Sequence, residues 1–179
     1  SEILSYALAG TASKHGPNAW TKEQLLTDKK NLFEHNIVRD RIVKTMESIT
    51  PDVTIGETGI MELAHLYHLC TIITAKDSTK SLVEWAKLLH PTPALGGEPR
   101  EKALALLQKY EAHERGMYAA PFGFMKDMGD GIVVVAIRSA LIMNNILYAY
   151  AGCGVVADSD ADEEYAETNN KMRTILDAL

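Results

Sequence analysis

Three apolar runs in the C-terminal half, residues 117–125, 132–142 and 146–150, are separated by Gly129-Asp130-Gly131 and Asn144-Asn145. Glycine and asparagine accept the left-handed backbone of tight turns at little cost, so the runs are expected to pair as antiparallel hairpins. The helical patterns lie elsewhere in the chain. Helices and hairpins are therefore segregated rather than alternating as βαβ units, which predicts an α+β fold with a layered, largely antiparallel sheet and packed helices.

The helices are read from apolar spacing. Thr21 suits an N-cap, and apolar residues recur at Leu25, Leu26, Leu32, Phe33, Ile37, Ile42, Val43 and Met46, which predicts one long amphipathic helix ending before Pro51. Before it, Ala9-Gly10-Thr11 reads as a strand end followed by a loop to Asn18. Residues 53–74 carry β-branched residues with weak alternation and are expected to be strands. A helix over 78–89, capped by Ser78, stops at His90-Pro91-Thr92-Pro93, and another starts with Pro99 in its first position and runs to about His113. A last helix, with Ser159 and Asp162 as a variant capping box, reaches about Leu179.

At 179 residues, 46% hydrophobic and 23% charged, the chain suits a single domain able to bury a core, and nothing in it asks to be split. It opens on Ser1 within a hydrophobic stretch and is expected to be a piece of something longer. The net charge of −6 and the lack of any Lys/Arg-rich run argue against a nucleic-acid partner. No stretch approaches the roughly 18 apolar residues of a membrane span, and no signal-like start is present. Cys70 and Cys153 stand far apart without CxxC spacing, which disfavours zinc and a disulfide framework and suits two thiols in the cytoplasm.

Several residues stand out chemically. Glu164 and Glu167 are three apart on the expected last helix and share a face with Lys171. Two such acids suit a hard cation such as Mg²⁺, or else form a solvated acidic helix start. Glu34 lies beside His35 in an apolar stretch and could face a site or stand exposed. Arg138 sits in the apolar run 133–137, where a charge needs a partner, either a structural acid or a ligand carboxylate. Gly152 and Gly154 permit close backbone approach to a ligand or a tight turn. The Pro-fixed segment His90 to Gly97 could present N–H groups to an anion, or be only a loop.

Taken in order, these features form a pattern. The strings are Leu8-Ala9-Gly10-Thr11, Glu34-His35-Asn36-Ile37-Val38, His68-Leu69-Cys70-Thr71, His90-Pro91-Thr92-Pro93-Ala94-Leu95-Gly96-Gly97 and Arg115-Gly116-Met117-Tyr118. They continue with Val135-Ala136-Ile137-Arg138-Ser139-Ala140, Tyr150-Ala151-Gly152-Cys153-Gly154 and Glu164-Tyr165-Ala166-Glu167-Thr168 before Lys171. The chain resembles the chorismate-utilising enzymes, which include anthranilate, aminodeoxychorismate, salicylate and isochorismate synthases. The segment from His90 to Gly97 resembles the isochorismate branch, of menaquinone or siderophore type.

The resemblance implies that residues 1–179 are the C-terminal portion of a chorismate-binding domain with the anthranilate-synthase-like fold. It implies Mg²⁺ as cofactor, with Glu34, Glu164 and Glu167 as its ligands, directly or through water. Chorismate is the implied substrate, contacted by Gly10, Thr11, His68, Ala94, Leu95, Arg138, Gly152 and Lys171. The family's base Lys and acid Glu are expected upstream, so no catalytic residue is assigned here and the chain alone is expected to be inactive. Other readings are another chorismate-utilising enzyme, or a non-catalytic module in the isolated chain. An interrupted domain is also expected to expose sheet edges through which copies self-associate. Cys153 stands where Ala is usual, Tyr165 where Trp is common, and Ala161-Asp162 where Pro-Glu is usual. None of these removes a charged contact.

Overall fold

A computed structural model describes residues 2–17, 19–76 and 79–177. Its contacts fall into two compact units, residues 1–107 and 108–179. The α+β class is as expected from the segregation of helices and hairpins.

The first unit is a four-stranded antiparallel sheet with helices. Strand β1 (Glu2–Ser13) pairs along one edge of β4 (Leu66–Lys76), while β2 (Val53–Ile55) and β3 (Gly59–Glu62) share the other. The strand expected to end near Thr11 thus continues to Ser13, but its register with β4 shifts between Leu8 and Thr11. That irregularity is a β-bulge, and it lies at Gly10.

The expected long helix is two. Helix α1 (Lys22–Thr27) ends and α2 (Lys29–Glu47) begins at Asp28, whose φ of −72° and ψ of 120° are extended. No glycine or proline marks the break. Asp28 instead leaves the helix to cap the next one, its carboxylate accepting from the Asn31 N–H at 2.8 Å. Along α2 the buried residues are His35, Val38, Ile42 and Met46, a single stripe at helical spacing. The stripe packs on Ala7 and Ala9 of β1 and on Ile73 and Ala75 of β4, where small side chains allow the helix to lie close. Trp85, 1% exposed, closes this core from α3 (Leu82–Leu89).

Helix α3 has its capping box at Ser81 and Glu84; the expected cap, Ser78, lies outside the described residues. The Pro-rich segment forms one helical turn, α4 (Pro93–Gly96), which packs against α2. Helix α5 (Arg100–Tyr110) starts one residue after Pro99, whose carbonyl accepts from Ala103 N at 3.0 Å, so Pro99 caps it rather than opening it.

The second unit holds two hairpins and a helix. Strands β5 (Pro121–Met125) and β6 (Gly131–Val135) form one ribbon, and β7 (Ala140–Met143) and β8 (Ile146–Ala149) the other. Both hairpin turns fall where expected. Asn144 and Asn145 have φ of 53° and 60°, the double left-handed geometry of a type I′ turn. The apolar run 132–142 is not one strand, however. It breaks between β6 and β7, where Arg138 adopts φ of 52°, a conformation no strand accommodates. The last helix, α6 (Ala161–Leu176), is capped by Asp160, whose carboxylate accepts from Asp162 N and Glu163 N at 3.0 Å. Ser159, expected as the cap, bonds elsewhere, and the expected helix end at Leu179 lies outside the described residues. Among the described residues, no helix is long and apolar enough to cross a membrane.

Candidate functional site

Each unit gathers its own share of the residues singled out from the sequence. In the first, Gly10 sits at the bulge of β1 with φ of 77°. A Cβ there would lie 2.9 Å from the Asn31 carbonyl oxygen and 3.0 Å from Leu69 Cδ1, so α2 and β4 leave room only for glycine. The next residue, Thr11, pairs in register with His68, and its hydroxyl shares a hydrogen bond of 2.8 Å with His68 Nδ1. Gly10, Thr11 and His68 are therefore one local group. Ala94 and Leu95 lie on α4, with Ala94 exposed and Leu95 half-buried. Arg100 holds the segment before them, Nη2 donating to the His90 carbonyl at 2.8 Å. Glu34 is half-buried on α2, next to His35 with 0% exposure.

In the second unit the charged residues converge. Lys171 pairs with Glu167 one turn earlier on α6, and its ammonium donates to the Gly152 carbonyl at 3.0 Å. Glu164 is 8% exposed and accepts from the Ser159 hydroxyl at 2.6 Å. It lines an open cleft of about 380 Å³ with Cys153, Val155, Ser159, Tyr165 and Thr168. Burial first, then the Glu164 carboxylate, pushes the Cys153 thiol above its usual range. Both cysteines are free thiols, and burial likewise raises Cys70.

Arg138 is the unusual member. Its Nη1 is buried and has no hydrogen-bond partner. Burial lowers its proton affinity, opposed by the nearby Glu167 carboxylate and Tyr118. Of the two partners left open by the sequence, the structural acid supplies charge nearby but leaves this nitrogen unsatisfied. A buried donor in that state costs stability unless a ligand meets it.

Tyr118 was not singled out by sequence reasoning, although its string contributed to the pattern. Its ring stacks on Tyr150 at 5.5 Å between centroids, and burial raises its hydroxyl's pKa. A Cβ on Gly152 would lie 2.9 Å from the Tyr118 hydroxyl, so Gly152 serves close approach. Asn31 and His35 were likewise missed; the spacing of α2 does not reveal that its half-buried Asn31 and buried His35 reach the backbone of β1.

Among the described residues, no three His, Cys, Asp or Glu side chains gather into a metal cage. In the second unit the carboxylates singled out from the sequence are Glu164 and Glu167. Both offer hard oxygen ligands, and Mg²⁺ is commonly held by one or two carboxylates with water and substrate oxygens completing its shell, so this donor set fits the ion.

Compared with known proteins, all of residues 1–179 match the family described as "Chorismate binding enzyme". The chain belongs to that family. The chain is similar to the salicylate biosynthesis isochorismate synthase of Pseudomonas aeruginosa, with 38% identity covering 99% of this chain and 38% of that protein. It is similar to isochorismate synthase MenF of Bacillus subtilis, with 37% identity covering 99% of the chain and 39% of that protein. Its fold superposes on the menaquinone-specific isochorismate synthase of Escherichia coli with a TM-score of 0.87 and 29% identity, covering 98% of this chain and 42% of that one. The chain thus spans about four tenths of the length of these relatives.

Proposed function

We propose that the protein to which this chain belongs is a Mg²⁺-dependent isochorismate synthase, converting chorismate to isochorismate for menaquinone or catechol siderophore synthesis. The observation that carries the reading is the half-buried Arg138, whose Nη1 is buried and unpaired, in a member of the chorismate-binding family. A cation with a buried, unused donor calls for an anion, and chorismate carries two carboxylates. Lys171, held between Glu167 and the Gly152 carbonyl, is the second cation for them. The isochorismate synthases among the relatives, together with His90 to Gly97, support this branch over the anthranilate one.

Glu164 and Glu167 are the residues we assign to Mg²⁺; Glu34, in the first unit, enters the assignment on the family resemblance alone. When bound, the ion would supply Lewis-acid stabilisation at a substrate carboxylate. The chain's own residues grip and orient the substrate. Arg138 and Lys171 take its carboxylates, Gly10, Thr11, Ala94, Leu95 and Gly152 line its surroundings, and His68 offers a polar contact. The reaction adds water at C2 of the ring and expels the C4 hydroxyl, which requires a base and an acid. We assign that Lys and that Glu to other parts of the full-length protein. Two free thiols accord with a cytoplasmic enzyme. Self-association of the isolated chain remains an expectation, which sedimentation as a clean monomer at high concentration would remove.

Full-length protein given chorismate and Mg²⁺ is expected to form isochorismate. Anthranilate formation with ammonia, or release of pyruvate, would overturn the assignment. Glu167→Gln is expected to abolish turnover while leaving the melting temperature unchanged; full turnover at ordinary Mg²⁺ removes Glu167 from the metal site.

A further inference from the structure

Asn31 and His35 stand one turn apart on α2, on the same face. Between them they hold both backbone groups that flank Gly10. The Thr11 N–H donates to Asn31 Oδ1 at 3.0 Å, and His35 Nδ1 lies 3.2 Å from the Ala9 carbonyl. A carbonyl only accepts, so Nδ1 carries the proton. Nε2 is then an acceptor, and the Thr71 hydroxyl donates to it at 2.7 Å. Thr71 Oγ1 in turn accepts from the Thr58 hydroxyl at 2.8 Å. Every hydrogen along this line points toward Ala9. Asn31 is fixed as well, since both its N–H and its Nδ2 donate to Asp28 Oδ1 at 2.8 Å, which sets the amide with Oδ1 toward Thr11.

We propose that Asn31 and His35 form a two-point clamp that positions the Gly10-Thr11 bulge for substrate. The proposal rests on the function given above. A single hydrogen bond would leave the bulge free to turn about it. Two bonds, one on each side of Gly10, lock the left-handed φ and so aim the Thr11–His68 pair. Glu34 lies between the two clamp residues on α2, so the clamp also sets the register of that carboxylate against β1. Both are positioning residues: they act through the backbone of β1.

Four variants of the full-length protein test this. His35→Gln places its amide nitrogen near Nε2 and abandons Ala9, whereas the shorter His35→Asn keeps a donor near Nδ1. Asn31→Ala removes the Thr11 anchor, and Thr71→Val removes the hydroxyl that donates to His35 Nε2 while leaving the Nδ1 contact with Ala9 in place. His35→Gln and Asn31→Ala are expected to raise KM for chorismate roughly tenfold with a smaller effect on kcat. His35→Asn should restore KM toward the parent value, and Thr71→Val should lower the melting temperature without moving KM. A KM that simply follows melting temperature across the four makes the role structural and overturns the clamp. Hydrogen exchange over residues 8–13 reads the clamp without turnover. Exchange should accelerate in Asn31→Ala and not in Thr71→Val, and unchanged protection in Asn31→Ala sinks the clamp even in an active enzyme. Absence of isochorismate formation by the parent protein would instead reject the function, leaving the exchange result to judge the clamp.

Discussion

Replacing Gly10 by alanine puts a number on how tightly α2 and β4 close over the bulge. Gly10 has φ of 77°, and an L-residue pays roughly 1–2 kcal/mol for left-handed backbone. The added methyl would also meet the Asn31 carbonyl oxygen at 2.9 Å and Leu69 Cδ1 at 3.0 Å. The first neighbour is helix backbone, which cannot swing away like the end of a side chain. Overpacking of this kind costs about 1–3 kcal/mol, so the total is about 2–5 kcal/mol. For a folded chain of this length, each kcal/mol lowers the melting temperature by about 2–4 °C. Gly16 supplies the control, because its φ of 92° carries the same backbone penalty with nothing within 4 Å of the added Cβ. Gly16→Ala should therefore cost about 1–2 kcal/mol, and the difference between the two variants isolates the steric part. Thermal unfolding followed by circular dichroism, with urea titration for the free energies, measures both. Equal destabilisation by the two substitutions would refute the close approach of α2 to the bulge.

Arg138→Met should stabilise the unliganded protein by about 1 kcal/mol, because it removes a donor that burial leaves unsatisfied, while abolishing measurable chorismate binding. Calorimetric titration beside a melting curve checks both halves, and a destabilised variant that still binds would contradict the ligand role. Glu62 gives a pH dependence. Hydrogen bonds from Lys14, at 2.6 Å, and Lys22 pull its carboxyl down to about 2, with both ammonium groups over the Tyr67 ring. Its folded pKa lies below the unfolded value of about 4.3, so its contribution is complete above that value and vanishes as pH falls toward 2. The melting-temperature gap between the parent and Glu62→Gln should accordingly close on acidification; a gap constant from pH 7 to pH 2 would show that the lysines do not act on the carboxylate.

Much of the architecture was legible because it is written in local chemistry. Asn144-Asn145 turns the chain wherever it is placed, since both residues tolerate left-handed backbone, and the hairpin follows. The stripe of Val38, Ile42 and Met46 similarly announces a helix with one buried face. The break at Asp28 was hidden because apolar spacing runs through it, from Leu25 and Leu26 to Leu32 and Phe33. An aspartate that caps the next helix looks, in one dimension, like a surface acid. Pro99 was misplaced by a single position, where helix ends are least defined.

By itself, then, the sequence determined the α+β class, the hairpins, the face-sharing of Glu164, Glu167 and Lys171, and the ordered motifs of a chorismate-binding enzyme. Those depend on interactions within a few residues, or on residue identity alone. Only the tertiary structure decided that Arg138 leaves the strand with a buried, unpaired nitrogen, that Tyr118 closes over Gly152, and that Asn31 and His35 seize the backbone on either side of Gly10. Each of these joins groups 20 or more residues apart, or follows from a backbone angle that neighbouring residues do not dictate. Burial turns such contacts from optional to necessary, because a polar group removed from water must find its partner in the fold or in a ligand.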